Sequence, residues 1–420
     1  VGFKIDAGQR LFARLGALRH FDYRLFWFSA FVSNLGGWVQ TMAQGWLVLE
    51  ITDSPVWLGL IGFAGGVPYL FFSLLGGLFA DRYDRRRLLI LCQTAQMVLA
   101  FLLAALTATG TVTIAWIAAI SFGAGLASAL NGPAYQAIVK DLAHEDLTSA
   151  IALNSTQFNL ARTLGPPLAA LMLVFIDMAG CFLINGLSFL AVLAALQRLK
   201  LPAPPAAAGA LPLWSGLRQA FCYVGRTPPV QWLLMGMVVN NLFATPYLTL
   251  MPVFARDVLK VGTTGLGFLT GAIGVGAVVG SIALASGGDR LGRGRVLYLA
   301  FLSFSVSVAG FALSPSYALS LALLVVVGAS MVAQVAMTNT LLQTQVPDNL
   351  RGRVMSMYSL AIMGFFPIGN LQAGLFAGWV GAPLTLAVGA AAVGLYALSA
   401  FGRRPAMLLA WNNARIRQAP

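Results

Sequence analysis

Two stretches of the chain run for 52 residues without a charged side chain, Leu88–Val139 and Val296–Pro347. Neither shows the strict alternation of a half-buried strand. A helix crosses the hydrocarbon of a bilayer in about 20 apolar residues, so each stretch holds two crossings. Each is broken once by turn residues, Thr109-Gly110-Thr111 in the first and Ser314-Pro315-Ser316 in the second. The same reading along the whole chain gives twelve spans: about 25–49, 55–80, 88–108, 113–138, 147–176, 178–197, 228–255, 263–287, 296–313, 317–342, 351–378 and 382–402. An open sheet leaves its edges unsatisfied in lipid, and barrel strands alternate, so these spans are helices.

The spans repeat. A shift of 208 positions lays Asp81-Arg82 on Asp289-Arg290, Leu58-Gly59 on Leu266-Gly267, Gly66-Val67 on Gly274-Val275 and Ser73 on Ser281. Such duplication in a membrane-buried chain implies a transporter whose two halves rock around a central site. Gly62 and Gly66, Gly267 and Gly271, Gly276 and Gly280, and Gly374 and Gly378 stand four apart, the spacing of close helix packing.

Composition agrees with lipid as the solvent. Of 420 residues, 59% are hydrophobic and 9% charged, against about 25% charged in soluble proteins. Of the 26 Lys and Arg, 23 fall on one side of the twelve spans, Arg256 and Lys260 on the other, and Arg162 within span 5. The basic side is cytoplasmic by the positive-inside rule, and with an even span count both termini lie there. The net charge of +13 is thus a topology signal, and nucleic-acid binding is not expected. Span 1 is too long for a signal peptide. Cys92, Cys181 and Cys222 lack metal or redox spacing, and His20 and His144 sit at cytoplasmic span ends. No metal site and no cofactor is expected.

The expected organisation is an interfacial segment at 1–22, a six-helix bundle at 23–197, a Pro- and Ala-rich linker with a possible surface helix at 198–227, a second six-helix bundle at 228–402 and a basic tail at 403–420. In the first segment Leu11, Leu15 and Leu18 share one helical face; in the linker Trp214, Leu217 and Phe221 do.

The turn after span 2 reads Gly76-Gly77-Leu78-Phe79-Ala80-Asp81-Arg82-Tyr83-Asp84-Arg85-Arg86-Arg87. It resembles the signature turn between helices 2 and 3 of the major facilitator superfamily, with Asp84 where that pattern has Gly. Its second copy is Asp289-Arg290-Leu291-Gly292-Arg293. The resemblance implies an all-α integral membrane fold of two pseudo-symmetric six-helix bundles. It also implies a cytoplasmic latch, in which a carboxylate at the end of span 2 faces the positive start of a helix in the other half. Asp81 would face the start of span 11 near Leu350, and Asp289 the start of span 5 near Leu147. Arg85 would reach Asp141 or Glu145, and Arg293 would reach Asp348, with Arg82 and Arg290 beside the paired carboxylates. The same arginines also set topology, and the sequence leaves both roles open.

Span 5 carries Gln157, Arg162 and the run Gly165-Pro166-Pro167, which resembles the helix-5 motif of antiporters in this superfamily. Paired prolines bend a helix and free its carbonyls. Arg162 lies roughly 22 Å up the helix from Leu147. An arginine at mid-membrane costs about 2.5–3.5 kcal/mol on insertion scales. No carboxylate is expected at its depth, which leaves amides, freed carbonyls or an anionic substrate group as partners; the alternative is that it caps the proline bend.

Polar side chains fall in the first helix of each three-helix unit: Asn34, Gln40 and Gln44 in span 1, Asn131 in span 4, Asn240 and Asn241 in span 7, Gln334 and Asn339 in span 10. The resemblance places these helices around the central cavity, with Trp38, Phe243 and Phe365 making its wall apolar. Such a wall suits an amphipathic organic molecule. Each amide is as readily a tie between helices.

Three strings sharpen the resemblance to the enterobactin-exporter and multidrug-efflux branch: Trp46–Ser54, Asn159-Leu160-Ala161-Arg162 ahead of Gly165-Pro166, and Val346–Ser356. The expected function is export of a small siderophore- or drug-like compound by alternating access and proton antiport, in a bacterial cytoplasmic membrane, by a monomer in contact with lipid. Glu50 is the candidate proton carrier. A lysophospholipid translocase of the same fold is the alternative. An enzyme is not expected, because no nucleophile–base pair or metal cluster is evident, and no phosphate-loop motif supports ATP-driven pumping.

Overall fold

The structure is a computed structural model. It describes residues 16–82, 84–199, 213–287 and 292–402, with backbone alone at 73–82, 213–218, 220, 286–287, 348–349 and 400–402. Residues 1–15, the linker at 200–212, Asp289, Arg290 and the tail at 403–420 lie outside the described residues. The side chains of Asp81, Arg82, Trp214, Leu217 and Asp348 do too.

All described elements are helical. The first six long helices are α1 (Phe21–Thr52), α2 (Pro55–Arg82), α3 (Arg85–Ala108), α4 (Ile114–Ala143), α5 (Leu147–Phe175) and α6 (Met178–Arg198). A shorter helix, α7, covers Leu213–Arg226. Six more follow: α8 (Pro228–Val258), α9 (Gly262–Gly287), α10 (Arg293–Leu313), α11 (Tyr317–Gln345), α12 (Asp348–Ser359, Leu360–Gly364 and Phe365–Val380) and α13 (Ala382–Gly402). Ten stretches are long and apolar enough to cross a membrane; one of them, Ile114–Phe175, holds both α4 and α5. With α1, whose 32 residues reach roughly 48 Å, the twelve expected spans are all present as helices. Phe71, Phe175, Val306 and Trp379 are among many large apolar side chains left exposed, as lipid-facing surfaces require.

Local chemistry sets the helix ends. Asp84, which departs from the superfamily turn, caps α3: its Oδ1 accepts from the N–H of Arg86 at 2.9 Å and of Arg87 at 3.3 Å. Asp177 caps α6 by accepting from Gly180 N–H at 2.8 Å. The expected hinges fall between α3 and α4, where Gly110 has φ +68, and between α10 and α11.

Two helices are not regular. In α8 the segments Asn240–Ala244 and Phe254–Val258 are π-type, and so is Leu360–Gly364 in α12. Pro246 and Pro367 follow two of them. Each lacks the N–H that the carbonyl four residues earlier, of Leu242 or Met363, needs in an α-ladder, and widening the turn re-pairs the backbone. Thr245 N–H accordingly donates to Asn240 O, five residues back, at 2.9 Å.

The chain forms two compact units. One contains α1 up to Leu47 and α2 from Val67 through α6. The other contains Val48–Gly66 and α7 through α13. In the second, glycines let backbones touch. A Cβ on Gly276 would lie 1.9 Å from Val325 O, and one on Gly328 1.9 Å from Ile273 O, so α9 and α11 meet without side chains between them. Gly59, Gly62 and Gly66 of α2 face Gly374, Asn370 and Pro367 of α12 in the same manner. Gly369 of α12 and Gly389 of α13 press on the carbonyls of Asn241 and Phe243, in the first π segment.

Of the N-terminal segment expected to lie at the interface, Leu11 and Leu15 lie outside the described residues and Leu18 within them. Its described part is a 3₁₀ turn, Gly16–Arg19, in which Ala17 and Leu18 are buried. Gly16 holds φ +56, a backbone that suits glycine, and Leu18 is packed inside the protein.

Candidate transport pathway

In the first unit α1 and α5 meet at Gly165. A Cβ there would lie 2.4 Å from Trp38 Cβ, so the glycine of the Gly-Pro-Pro run admits the indole-bearing face of α1. Trp38 and Phe158 sit edge to face with ring centroids 6.1 Å apart. On the same helix as Phe158, Arg162 Nη2 donates to Asn159 Oδ1 at 3.0 Å. Asn159 Nδ2 in turn donates to Ser155 O at 2.8 Å. The amide is thereby fixed with its oxygen toward the guanidinium. Trp38, Phe158, Asn159 and Arg162 thus form one patch: a partly buried cation and an amide beside two aromatic rings. Pro166 and Pro167 deprive the carbonyls of Arg162 and Thr163 of their usual donors. Asn34 lies one turn before Trp38 on α1 and is half-buried.

Other expected pathway residues of this unit are engaged between helices. Gln157 is fully buried and donates to Trp27 O at 3.2 Å, with the Tyr135 hydroxyl 3.5 Å from its Oε1. Tyr135 also donates to Asn154 Oδ1 at 2.8 Å. Gln40 Oε1 accepts from Asn185 of α6 at 2.6 Å, and Gln44 donates to Ser121 of α4 at 2.9 Å. Asn131 Oδ1 accepts from Gln93 of α3 at 3.4 Å. Burying an amide in lipid without a partner is costly, and each of these has one on a neighbouring helix.

In the second unit Asn240 and Asn241 are buried at the first π segment. Asn240 Nδ2 donates to Thr245 Oγ1 at 3.2 Å and Asn241 Nδ2 to Met237 O at 2.9 Å. Gln334 is fully buried and donates to Ala300 O of α10 at 3.1 Å. Asn339 accepts from Gln343 Nε2 at 2.6 Å and, like Phe243 and Phe365, is half-buried. Of the residues expected around one cavity, Trp38 and Arg162 share the α1–α5 patch, Gln157, Asn240, Asn241 and Gln334 are buried in hydrogen bonds inside their units, and Gln40, Gln44, Asn131, Asn339, Phe243 and Phe365 are half-buried.

Of the expected latch, Arg85 Nη1 lies 2.9 Å from Asp141 Oδ2, joining α3 to α4. Glu145 is exposed and has no ion pair among the described residues. Arg293 is half-buried at the start of α10. Glu50 is exposed. It follows Trp38 by 12 residues, roughly 18 Å along α1. The residue before it, Leu49, accepts at its carbonyl from Arg256 Nη1 at 3.0 Å. Arg256 also pairs with Asp53, and with Asp257 at 2.6 Å.

Sequence reasoning passed over Asn159, Phe158, Arg256 with Asp53, and Asn370, whose Oδ1 accepts from Thr249 at 2.8 Å. Asn159 had a legible signal, standing three residues before Arg162 on one helix face. The others are distant in sequence.

A family model described as "Transmembrane secretion effector" matches residues 13–413. Among curated relatives, the Staphyloferrin A transporter of Staphylococcus aureus (strain NCTC 8325 / PS 47) is 25% identical, over 83% of this chain and 87% of its own length. The multidrug efflux pump Tap of Mycolicibacterium fortuitum is 24% identical, over 83% and 87%. Among solved structures, the nucleoside transporter NupG superposes with a TM-score of 0.73 over 91% of this chain and 98% of its own, at 14% identity, which speaks for the fold alone.

Proposed function

From a chain that belongs to the transmembrane secretion effector family, within the major facilitator superfamily, we propose a secondary exporter of a small amphipathic compound that carries an anionic group. The observation that supports this most is the α1–α5 patch. Arg162 supplies a fixed positive charge, Asn159 an oriented amide and the freed carbonyls acceptors, while Trp38 and Phe158 offer apolar faces. A siderophore- or drug-like organic anion matches that mixture, and relatives named for a siderophore and for drugs stand on the same side. Transport proceeds by alternating access of the two repeats, with both termini in the cytoplasm of a bacterial cell and proton antiport through Glu50 as the driving force. The chain acts as a monomer, and its partners are the transported molecule and lipid.

The test is untargeted mass spectrometry of cells and medium under iron limitation, lipid fraction included. It compares the intact strain, a deletion strain, and the deletion complemented with wild type or Arg162→Gln. One metabolite should vanish from the medium, build up inside and be restored by wild type but not by the variant. Unchanged metabolite pools with lysophospholipid accumulating in the envelope would overturn the proposal in favour of lipid translocation.

A further inference from the structure

The chain has two histidines, and the fold brings them together. His20 follows the 3₁₀ turn Gly16–Arg19, and His144 opens a second 3₁₀ turn, His144–Asp146, between α4 and α5. Their ring centroids are 4.9 Å apart, edge to face. His144 holds a left-handed backbone, φ +48, which a non-glycine residue seldom adopts.

Asp146 joins them. Its Oδ2 lies 2.8 Å from Arg19 Nε and 3.2 Å from His20 Nε2, while Arg19 Nε lies 3.3 Å from that same imidazole nitrogen. His20 Nε2 therefore faces one atom that only donates and one that only accepts. Bearing a lone pair, it accepts from Arg19; bearing a proton, it donates to Asp146. Asp146 also stands at the N-cap position of α5 yet makes no capping bond there. Its carboxylate is given to the N-terminal turn.

That turn is held closely. Ala17 N–H donates to Ser149 Oγ at 3.2 Å. Ala17 and Leu18 are buried in one apolar cluster with Leu142, Ala143 and Ala150. A Cβ on Gly16 would lie 2.3 Å from Ser149 Oγ.

We propose that His20 and His144, with Arg19 and Asp146, form a proton-binding site that governs how firmly the N-terminal turn is clasped to the α4–α5 junction. Imidazole is the side chain whose ordinary titration falls between pH 5 and 8. With both rings neutral, Arg19 and Asp146 balance. A proton on His20 adds a second cation to the Asp146 carboxylate across the clasp, whereas its repulsion from Arg19, one residue away on the same turn, is present whether or not the turn is clasped. His144, exposed and on the Asp146 side of the clasp, opposes this more weakly through its 4.9 Å ring contact. The other charged groups on these elements are Asp22 and Arg24 on α1, Glu145 in the turn, and Lys140 and Asp141 on α4, the last engaged by Arg85 of α3. Among the described residues, Asp146 is the one carboxylate within ion-pair distance of Arg19 and His20. Acid therefore tightens the clasp, and loss of the His20 proton as pH rises frees the start of α5, the helix that carries Asn159 and Arg162.

Hydrogen exchange on the full chain, purified in detergent without a histidine tag, tests this. Protection factors, corrected for the pH dependence of intrinsic exchange, are compared at pH 8 and pH 6. Residues 16–22 and 144–150 should be about tenfold more protected at pH 6 than at pH 8, while peptides of α11 are protected alike at both. His20→Asn should abolish that response, and His144→Asn should leave it in place or enlarge it. A wild-type protein whose clasp peptides ignore pH would overturn the proposal. So would a wild-type protein less protected at pH 6 than at pH 8, or a His20→Asn variant that responds as fully as wild type; the first is open to measurement even if the variant does not fold.

Discussion

Arg256 of α8 donates to the carbonyl of Leu49 at 3.0 Å, so the last turns of α1 are held by a residue two hundred positions downstream. The same guanidinium reaches the carboxylate of Asp53, whose side chain is 83% exposed. The two contacts differ in worth. A charged donor on a backbone carbonyl contributes about 1.5–3 kcal/mol, and an exposed ion pair about 0–1 kcal/mol. Arg256→Ala should lower stability by about 1–3 kcal/mol and Asp53→Asn by less than about 1 kcal/mol in chemical denaturation. Equal losses would assign the hold to the ion pair instead of the Leu49 carbonyl.

The glycine contacts separate by what a methyl group would strike. On Gly276 it would meet the Val325 carbonyl, which cannot move aside without shifting α11. Gly276→Ala should destabilise by about 1–3 kcal/mol. On Gly37 of α1 it would meet nothing within 4 Å. Gly37→Ala should be neutral or stabilising by up to about 1 kcal/mol, since alanine is the better helix former. Thermal unfolding of the two variants side by side checks the contrast.

Arg162 and Asn159 should act as a pair. A double-mutant cycle on transport rate, using Arg162→Gln and Asn159→Ala with the metabolite that mass spectrometry identifies, should give a coupling of about 0.5–3 kcal/mol. Additive losses would mean that the 3.0 Å contact does not orient the guanidinium for its task.

Gln334 supplies a control. It is fully buried and bonded to Ala300 O, so Gln334→Leu should cost about 1 kcal/mol of stability and leave substrate selectivity unchanged. A variant that folds normally but exports a different set of compounds would place Gln334 in the pathway after all.

Glu50→Gln addresses the energy source. In vesicles with an imposed proton gradient the variant should lose uphill transport while still exchanging substrate for substrate. Gradient-driven transport that survives the change would remove Glu50 from the proton path.

How much of this was legible in the sequence varies with the kind of residue. Helix ends such as Asp84 and Asp177 depend on neighbours within a few positions, and their residue types already announce caps. Span count and the 208-residue repeat needed only hydropathy and spacing. The amides were harder. Gln157 and Gln334 look like pathway residues because a polar group in an apolar helix has to be satisfied. The sequence does not tell whether a helix or a cargo satisfies it, because the partners, Trp27 O and Ala300 O, are backbone atoms that no residue type reveals.

The amino-acid sequence by itself determined the solvent, the number of crossings and the duplication, because burial of about 20 apolar residues per helix in lipid is a local rule that each segment obeys alone. Tertiary structure alone decided which polar groups are spent and which remain for work. It set the Trp38 and Phe158 rings edge to face between two helices, and it tied Gln157 between helices. It bound Arg256 to the end of α1, and it brought together two histidines 124 positions apart. Those outcomes depend on where helices cross, and crossing points are chosen by glycine clearances and partner atoms distributed over the whole chain.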